Sequence, residues 1–346
     1  MGRERYWTPD HRDLHHQRVE QDRDIHRTRG RRPVNDHPAE KQVLDDGTTL
    51  SVGRPLDLSP EQYATLNTRV LGVAYRMLGS WSDAEDVASR TWMRWHTSRP
   101  DSVREPAAWL TTVATRISLD LWRTATRRRE DYIGPWLPDP VDPSLLPEES
   151  TEQRETLTMA MMHLMERLTP DERAIYVLRN AFGYNYPEIA EMVGRTPAAC
   201  RQLRHRAQLK LGELPPHLPA KEQRTTMDRL VSAILEGRVA DAIALVSADA
   251  VLITDGGGRT KAALRPVMGA DHVVRFLVGV AEKSRRSADG KTVRIETIEV
   301  NDAPGYRALI GDETRVFVLQ MNREGLVTTV FAQSNPAKLT GVRGPA

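Results

Sequence analysis

The sequence predicts a multidomain chain in which two all-α domains precede a third domain of α+β class. In residues 56–130 and 155–213, apolar side chains recur at the spacing of amphipathic helices. Residues 225–335 instead combine helical stretches with short strand-like runs, which is typical of a sheet packed on helices. Proline-rich segments at 131–154 and 214–224 separate the three domains and are expected to be linkers, and residues 336–346 are expected to form a C-terminal tail.

The composition excludes several classes of protein. The 346 residues include one cysteine, Cys200, which excludes a disulfide framework or a cysteine-rich metal site. No apolar run approaches the roughly 18 residues that span a bilayer, and the charged N-terminus lacks the apolar core of a secretory signal. We therefore expect a cytoplasmic protein with no membrane partner, no metal and no cofactor.

The formal net charge of +2 conceals segments of opposite sign. Residues 1–55 mix acids, bases and histidines with almost no apolar periodicity, so we expect a disordered N-terminal tail. The end of the first helical domain and residues 192–212 are basic, whereas residues 131–153 carry acids and no Lys or Arg. This partition indicates nucleic acid as the partner of the two basic segments.

Three helices are expected in the first domain. The first contains Tyr63 to Leu78 and ends at Gly79, and Ser82 is expected to cap the second helix. The acids that follow would lie in the first turn of the second helix, where carboxylates favour the helix dipole. These acids are Asp83, Glu85 and Asp86.

The third helix, which Pro106 opens, combines aromatic and basic side chains. A solvated charged face would have this composition. A nucleic-acid surface would have it too, because positive charge meets phosphates and rings stack on unpaired bases. The candidate contacts are Trp109, Arg116, Arg123, Arg127 and Arg128.

The second helical domain carries a helix-turn-helix pattern. An amphipathic helix is expected over Leu157 to Leu168, followed by a helix that Thr169 caps. A short helix from Tyr186, a turn at Gly194 and a second helix opened by Pro197 complete the motif.

The second helix of this motif has two faces. Cys200, Leu203, Ala207 and Leu211 form the inward stripe, so a buried structural thiol is a better interpretation of Cys200 than a redox sensor. Arg and Gln side chains on the outward face can read guanine and adenine edges in the major groove. The candidate DNA contacts are Pro197, Arg201, Gln202, Arg204, His205 and Arg206.

The third domain is expected to open with a helix over Leu230 to Val246, interrupted at Gly237, and a strand over Ala250 to Thr254. A further helix and four strand-like runs follow, at 270–281, 293–300, 306–310, 314–321 and 325–333. The glycine-rich stretch 255–259 is favoured as a turn or contact loop. A phosphate-binding loop requires Gly-Lys-Ser/Thr and the start of a helix at a set spacing after the glycines, and this pattern does not follow.

Several motifs carry a resemblance to a known family. Residues 74–87, AYRMLGSWSDAEDV, and 109–114, WLTTVA, lie in the first helical domain. Residues 168–173, LTPDER, and the helix-turn-helix lie in the second. In this order, the motifs resemble the bacterial extracytoplasmic-function (ECF) RNA polymerase sigma factors, group four of the sigma-70 class.

The resemblance implies two partners, core RNA polymerase and promoter DNA. The helix with Asp83, Glu85 and Asp86 would dock on the polymerase. The third helix of the first domain, sigma region 2, would recognise and help melt the minus-ten promoter element. In the second domain, sigma region 4, the helix from Pro197 would read the minus-thirty-five element. The acidic linker would thread toward the RNA-exit path of the polymerase.

The third domain resembles the SnoaL-like, NTF2-like cone fold, and sigma factors that carry it form the forty-first ECF group. The motifs are 136–140, WLPDP; 255–259, DGGGR; and 335–339, NPAKL. That group usually has Lys at position 259, so Arg259 keeps the charge but has a different side-chain geometry. It usually has Asp or Glu at position 337, so Ala337 removes a possible salt bridge.

This second resemblance implies that the third domain controls activity in cis, in place of a separate anti-sigma protein. A small ligand in the cone could bias such a switch between its two states. The candidate regulatory contacts are Trp136, Leu137, Pro138, Asp255, Gly256, Gly257, Gly258, Arg259, Asn335, Pro336 and Leu339.

Two alternatives compete with this interpretation. Cone folds also host isomerases and cyclases that use an Asp base in an apolar pocket, and Asp255, Asp271 and His272 are the candidates. No set of acid, base and oxyanion donor emerges from the sequence, so we expect no enzyme. A helix-turn-helix regulator that acts without polymerase is the other alternative, but it would not need the first helical domain.

Overall fold

The computed structural model describes residues 58–98, 103–147, 151–214, 216, 218–287, 293–310 and 313–342. The expected disordered tail, residues 1–55, lies outside the described residues. Within the described ranges, no helix is long and apolar enough to cross a membrane.

The first domain consists of helices α1 (Pro60–Leu78), α2 (Trp81–Ser98) and α3 (Pro106–Glu130). The expected end of α1 is confirmed, since Gly79 adopts a φ of +69° there. The expected cap of α2 is wrong. The backbone N–H of Asp83 donates to Oγ of Ser80 at 3.3 Å, so Ser80 caps the helix and Ser82 lies inside it.

The second domain contains α5 (Met159–Leu164), α6 (Pro170–Asn180), α7 (Tyr186–Val193) and α8 (Pro197–Leu211). A short helix, α4 (Thr151–Arg154), precedes it within the segment 131–154 that was expected to be a linker. The single helix expected over 157–168 is wrong. Thr158 takes a ψ of 144° and caps α5, and short 3₁₀ turns flank that helix. The helix-turn-helix is confirmed: Asn185 caps α7, Thr196 caps α8, and Gly194 between them has a φ of +68°.

The segment that leaves α3 is extended and packed, with one 3₁₀ turn at Pro143–Leu145. Despite its acidic and proline-rich composition, residues 137–141 are buried. The segment therefore belongs to the interior of the molecule, where its backbone and side-chain polar groups need partners.

The third domain combines three helices with a six-stranded sheet. Its elements are α9 (Ala220–Leu235), α10 (Val239–Ile243), β1 (Val246–Asp255), β2 (Val267–Met268), α11 (Ala270–Ser287), β3 (Val293–Val300), β4 (Ala303–Ile310), β5 (Glu313–Met321) and β6 (Val327–Gln333). The strand order is β2-β1-β6-β5-β4-β3; β1 and β6 are parallel and the other neighbours antiparallel. The α+β class is confirmed. Two details differ, because α9 starts inside the segment 214–224 expected to be a linker and the short β2 was not expected.

Two apolar cores cross the domain boundaries. One contains side chains of both helical domains, such as Val73 of α1 and Met162 of α5. The other joins Leu137 and Met159 to the sheet residue Phe331. Because buried apolar area stabilises packing, these cores hold the three domains against one another.

Candidate functional site

Asp255, the last residue of β1, is the centre of a buried polar junction between the third domain and the segment that leaves α3. Its side chain is 0% exposed. Oδ1 accepts a hydrogen bond from the Tyr132 hydroxyl at 2.5 Å, and Oδ2 accepts one from the backbone N–H of Leu137 at 2.9 Å. Nζ of Lys338 donates to Oδ2 at 2.9 Å, and Gln333 also donates to it. A buried carboxylate with this many donors is compensated in its ionised form.

The glycines that follow Asp255 allow a close approach between segments. Gly257 has a φ of +55°, and a Cβ atom there would lie 2.3 Å from Nδ2 of Asn335 and 2.6 Å from the Tyr132 hydroxyl. Nδ2 of Asn335 in turn donates to that hydroxyl at 2.8 Å. The glycine-rich stretch is therefore a contact loop, and its first residues are not a solvated surface.

Lys338 joins the three motifs that the sequence singled out. Its Nζ atom lies 3.8 Å from the centre of the Trp136 ring, which is a cation–π contact, and donates to the carbonyl oxygen of Leu137 at 2.5 Å. Pro138 is buried, Leu339 is half-buried, and Arg259 and Pro336 are exposed.

Asp139 ties the same segment to the first helical domain. Oδ2 accepts from the backbone N–H of Trp81 at 2.8 Å, and its backbone carbonyl accepts from the Tyr75 hydroxyl at 2.6 Å. Burial raises the pKa of Asp139 to about 7, although Lys338 at 3.9 Å and the Trp81 amide oppose the rise.

Asn301, in the turn between β3 and β4, connects all the parts of the molecule that meet at this junction. Its Nδ2 atom donates to the Tyr75 hydroxyl at 2.6 Å and to the carbonyl oxygen of Leu157 at 3.0 Å. Its Oδ1 atom accepts from the backbone N–H of Val141 at 3.0 Å. One side chain of the third domain thus contacts the first domain, the linker and the second domain.

The two helical domains also contact each other through buried arginines. Nε of Arg173, on α6, donates to the carbonyl oxygen of Arg76 at 2.7 Å, and its Nη1 atom pairs with Glu166 at 2.5 Å. The guanidinium lies 4.8 Å from the centre of the Trp122 ring of α3. These contacts fix the second domain against α1 and α3.

The candidate minus-ten residues lie in different environments. Arg116 donates from Nε to the carbonyl oxygen of Met192 at 3.1 Å and from Nη2 to that of Glu191 at 2.9 Å. Trp109 is half-buried, with its ring 5.4 Å from that of Trp95. Arg123 is exposed and pairs with a neighbouring Asp. The side chains of Arg127 and Arg128 lie outside the described residues.

Most of the candidate minus-thirty-five residues share one exposed face of α8. Arg204 differs, because it is half-buried and donates to Oε1 of Gln208 at 3.0 Å. The exposed members are Pro197, Arg201, Gln202, His205 and Arg206. Cys200 is 0% exposed on the opposite face, and burial raises its thiol pKa, as expected of a structural cysteine.

The acids at the start of α2 lie on an accessible surface. Glu85 and Asp86 are exposed and Asp83 is half-buried. Nε1 of Trp81 donates to Oε1 of Glu85 at 3.1 Å, which holds that carboxylate beside the beginning of the helix. Asp83 lies in the first turn of α2, and Glu85 and Asp86 follow in the next turn, so the expectation that all three lie in the first turn is met by Asp83 alone.

The candidate catalytic residues do not share a pocket. Asp255 is buried in the junction, whereas Asp271 and His272 are exposed in the first turn of α11. Asp271 pairs with Arg275 at 2.8 Å, and Nδ1 of His272 lies 3.1 Å from the carbonyl oxygen of Met268.

Three important junction residues, Tyr132, Lys338 and Asn301, were absent from the candidate sites, as was Asp139. Asp139 and Lys338 lie inside the motifs 136–140 and 335–339, so their sequence signal was present. Tyr132 and Asn301 have no such signal, because their partners are distant in the sequence.

Comparisons with known proteins identify the family. The Sigma-70 region 2 model matches residues 63–128 and the Sigma-70 region 4 model matches residues 158–211. The ECF RNA polymerase sigma factor SigJ of Mycobacterium tuberculosis (strain H37Rv) is 34% identical over 295 residues, 81% of this chain and 93% of SigJ. The probable ECF sigma factor SigI of the same species is 32% identical over 147 residues, which cover 42% of this chain and 51% of SigI.

A solved structure extends the likeness beyond the helical domains. The crystal structure of M. tuberculosis SigJ matches with a TM-score of 0.66 and 30% identity, over 81% of this chain and 98% of that one. The sequence identity and coverage together assign the chain to a family of transcription initiation factors. The chain belongs to the ECF RNA polymerase sigma factors, the alternative sigma factors that act with core RNA polymerase at promoters.

Proposed function

We propose that the third domain controls this sigma factor in cis, by holding the two helical domains in a compact arrangement that is closed to the minus-ten element. The observation that carries the proposal is the contact of Arg116 with the carbonyl oxygens of Met192 and Glu191. Two of the three guanidinium nitrogens of Arg116, Nε and Nη2, are thereby bound to the helix-turn-helix, which leaves fewer donors for a DNA phosphate.

The domain limits and residue roles belong to the same proposal. The first helical domain, 56–130, binds core polymerase through Asp83, Glu85 and Asp86 of α2, and it binds the minus-ten element through α3. The helix-turn-helix domain, 155–213, binds the minus-thirty-five element with the exposed face of α8. Arg and Gln side chains there can form hydrogen bonds with base edges in the major groove. The side chains involved are those named above for each surface.

The third domain supplies the restraint through the junction of Asp255, Asn301 and Lys338. Two states with different contacts are required of such a switch, and these three residues make contacts that exist only when the domains are docked. The acidic linker must leave the junction to enter a polymerase channel, since Asp139 is 2% exposed here.

An effector could bias the switch from the apolar cavity between α9, α11 and the sheet. Its volume is about 110 Å³, and Leu230, Leu277 and Tyr306 are among its lining residues. A space of this size holds only a few non-hydrogen atoms, below the roughly 150 Å³ of a cavity that takes benzene. We therefore place the main control in the domain contacts.

Run-off transcription with core polymerase tests the cis control. Asn301→Ala removes the side-chain bonds to Tyr75, Leu157 and Val141, so we expect more transcript at limiting polymerase than from the wild-type chain. Asn322→Ala is the control, because Asn322 is a turn residue whose Oδ1 atom bonds only its own hairpin, at Glu324 and Leu326.

A second arm removes the third domain. We expect a chain that ends at Pro219 to differ from the full chain in promoter-specific transcription. Equal yields from both chains, on the same promoter and with the same polymerase, would contradict cis control.

A further inference from the structure

Two buried carboxylates share one ammonium group at the junction. Asp139 is 2% exposed, Asp255 is 0% exposed and Lys338 is 8% exposed. Nζ of Lys338 lies 2.9 Å from Oδ2 of Asp255 but 3.9 Å from Oδ1 of Asp139, and another of its hydrogens goes to the carbonyl oxygen of Leu137. Lys338 therefore contacts Asp255 at hydrogen-bond distance, whereas Asp139 has only the longer ion pair at 3.9 Å.

The two oxygens of Asp139 are unequal. Oδ2 accepts from the Trp81 amide, whereas Oδ1 is buried and has no hydrogen-bond partner among the described residues. An ionised oxygen that is buried without a donor carries a desolvation cost, which the protonated carboxyl group avoids.

The surrounding groups do not remove this cost. Asp83 of α2 and Asp255 of β1 are further negative charges, and both disfavour the ionised form of Asp139. From α1 the Tyr75 hydroxyl reaches only the backbone carbonyl of Asp139. The Tyr132 hydroxyl of the linker donates to Asp255. The exposed Arg259 lines a cleft at the junction together with Asp139 and Lys338.

We propose that this junction is a proton-linked latch, in which Asp139 takes up a proton from solvent when the third domain docks and returns it when the domain leaves. The inference rests on the proposed cis control and names what regulates it. The docked form binds one proton that the undocked form, with Asp139 in water, does not bind near neutral pH.

The direction of the effect follows from linkage. The pKa of Asp139 is raised in the docked form to about 7, above the ordinary value of 3.8. Docking is therefore strongest at low pH, weakens as the pH rises through the interval between these two values, and levels off above about 7. Within the interval, the docking constant falls by up to about tenfold per pH unit, the limit for one proton.

The test measures docking directly in the full chain. Dyes on cysteines that replace Met93 of α2 and Arg323 of the β5–β6 turn report the separation of the first and third domains by energy transfer. Both native side chains are well exposed, at 64% for Met93 and 83% for Arg323, and native Cys200 is buried. A urea titration at each pH from 5 to 8 gives the docking constant.

Three chains are compared. Wild type is expected to lose docking as the pH rises from 5 to 7 and to change little above 8. Asp139→Asn, which keeps an acceptor for the Trp81 amide, is expected to dock with a nearly constant strength. Asp142→Asn is the control, because Asp142 lies in the same linker outside the buried run and caps a local turn; it should keep the wild-type profile.

A wild-type docking constant that does not change with pH, or an Asp139→Asn profile parallel to that of wild type, overturns the latch. If Asp139→Asn fails to fold, the wild-type chain is labelled with carbon-13 at its aspartate carboxyl carbons, and NMR follows the chemical shift of each carboxyl group with pH. One buried Asp must then titrate near neutrality, and its absence overturns the proposal. The proposed cis control is contradicted by a different result. In that case, removal of the third domain leaves transcription unchanged although docking still depends on pH.

Discussion

Nε of Arg116, on α3, donates a hydrogen bond of 3.1 Å to the carbonyl oxygen of Met192, in the last turn of α7. The last carbonyls of a helix lack partners within the helix and carry the negative end of its dipole, so a guanidinium is a favourable partner there. The contact joins the surface proposed for the minus-ten element to the helix-turn-helix. Sigma region 2 and sigma region 4 are thereby closed against each other.

Arg116→Ala should affect two processes in opposite directions. It removes an interdomain contact, which favours opening of the free protein. It also removes a proposed phosphate contact, so the slope of log binding constant against log salt for the holoenzyme and promoter should decrease in magnitude by about one. Arg94→Ala, at an exposed position of α2, is the control. An unchanged salt slope would remove Arg116 from the DNA surface.

Lys338→Met should destabilise the docked chain strongly. The substitution leaves Asp139 and Asp255 buried without their shared cation, and breaking a buried ion pair in this way costs about 3–5 kcal/mol. Urea unfolding of the full chain measures the loss. Lys221→Met, at an exposed position of α9, should change stability little. Equal effects of the two substitutions would mean that Lys338 does not hold the junction.

Gly257→Ala and Gly183→Ala separate steric exclusion from backbone strain. Both glycines have a positive φ, +55° and +72°, so either substitution costs about 1–2 kcal/mol of strain. Only at Gly257 would the new Cβ collide with Asn335 and Tyr132, since no atom lies within 4 Å of it at Gly183. We therefore expect a larger loss of thermal stability, and weaker docking of the third domain, for Gly257→Ala alone.

Arg201→Ala should relax sequence preference at particular bases of the minus-thirty-five element. Arg201 is exposed on α8, and a bidentate contact to a guanine is worth about 1–3 kcal/mol of discrimination. Binding of the holoenzyme to a set of single-base promoter variants measures it. Arg229→Ala is the control, because Arg229 is an exposed arginine of α9, and it should leave the sequence preference unchanged. An unaltered preference profile for Arg201→Ala would assign base reading to other residues.

Features with local causes could be predicted from the sequence. The ends of α1, α7 and α8 depend on Gly79, Gly194 and Thr196, whose effects act within one helical turn. The helix over 157–168 could not be excluded in this way. Its apolar period is helical, but Thr158 caps α5 inside it, and Met159 and Ala160 beyond the cap pack on the sheet.

The junction depends on contacts between distant parts of the chain. The motifs around Trp136, Asp255 and Asn335 could be selected by resemblance, and they do meet. The pairing of Asp139 and Asp255 around Lys338 could not be foreseen, because residues of like charge 116 positions apart give no periodic or spacing signal. The role of Asn301 is equally hidden, since a turn residue is expected to satisfy its own hairpin.

The distance between the two helical domains tests the central claim, that the third domain holds them closed. Spin labels on cysteines that replace Met93 of α2 and Leu209 of α8, both exposed, report it by double electron–electron resonance in the full chain. For the free wild-type protein we predict a narrow distribution of label-to-label distances, centred at a short distance. For Lys338→Met we predict a broad distribution centred at a longer distance. For wild type bound to core polymerase we predict a longer distance than in the free protein. Identical distributions in all three samples would contradict the account.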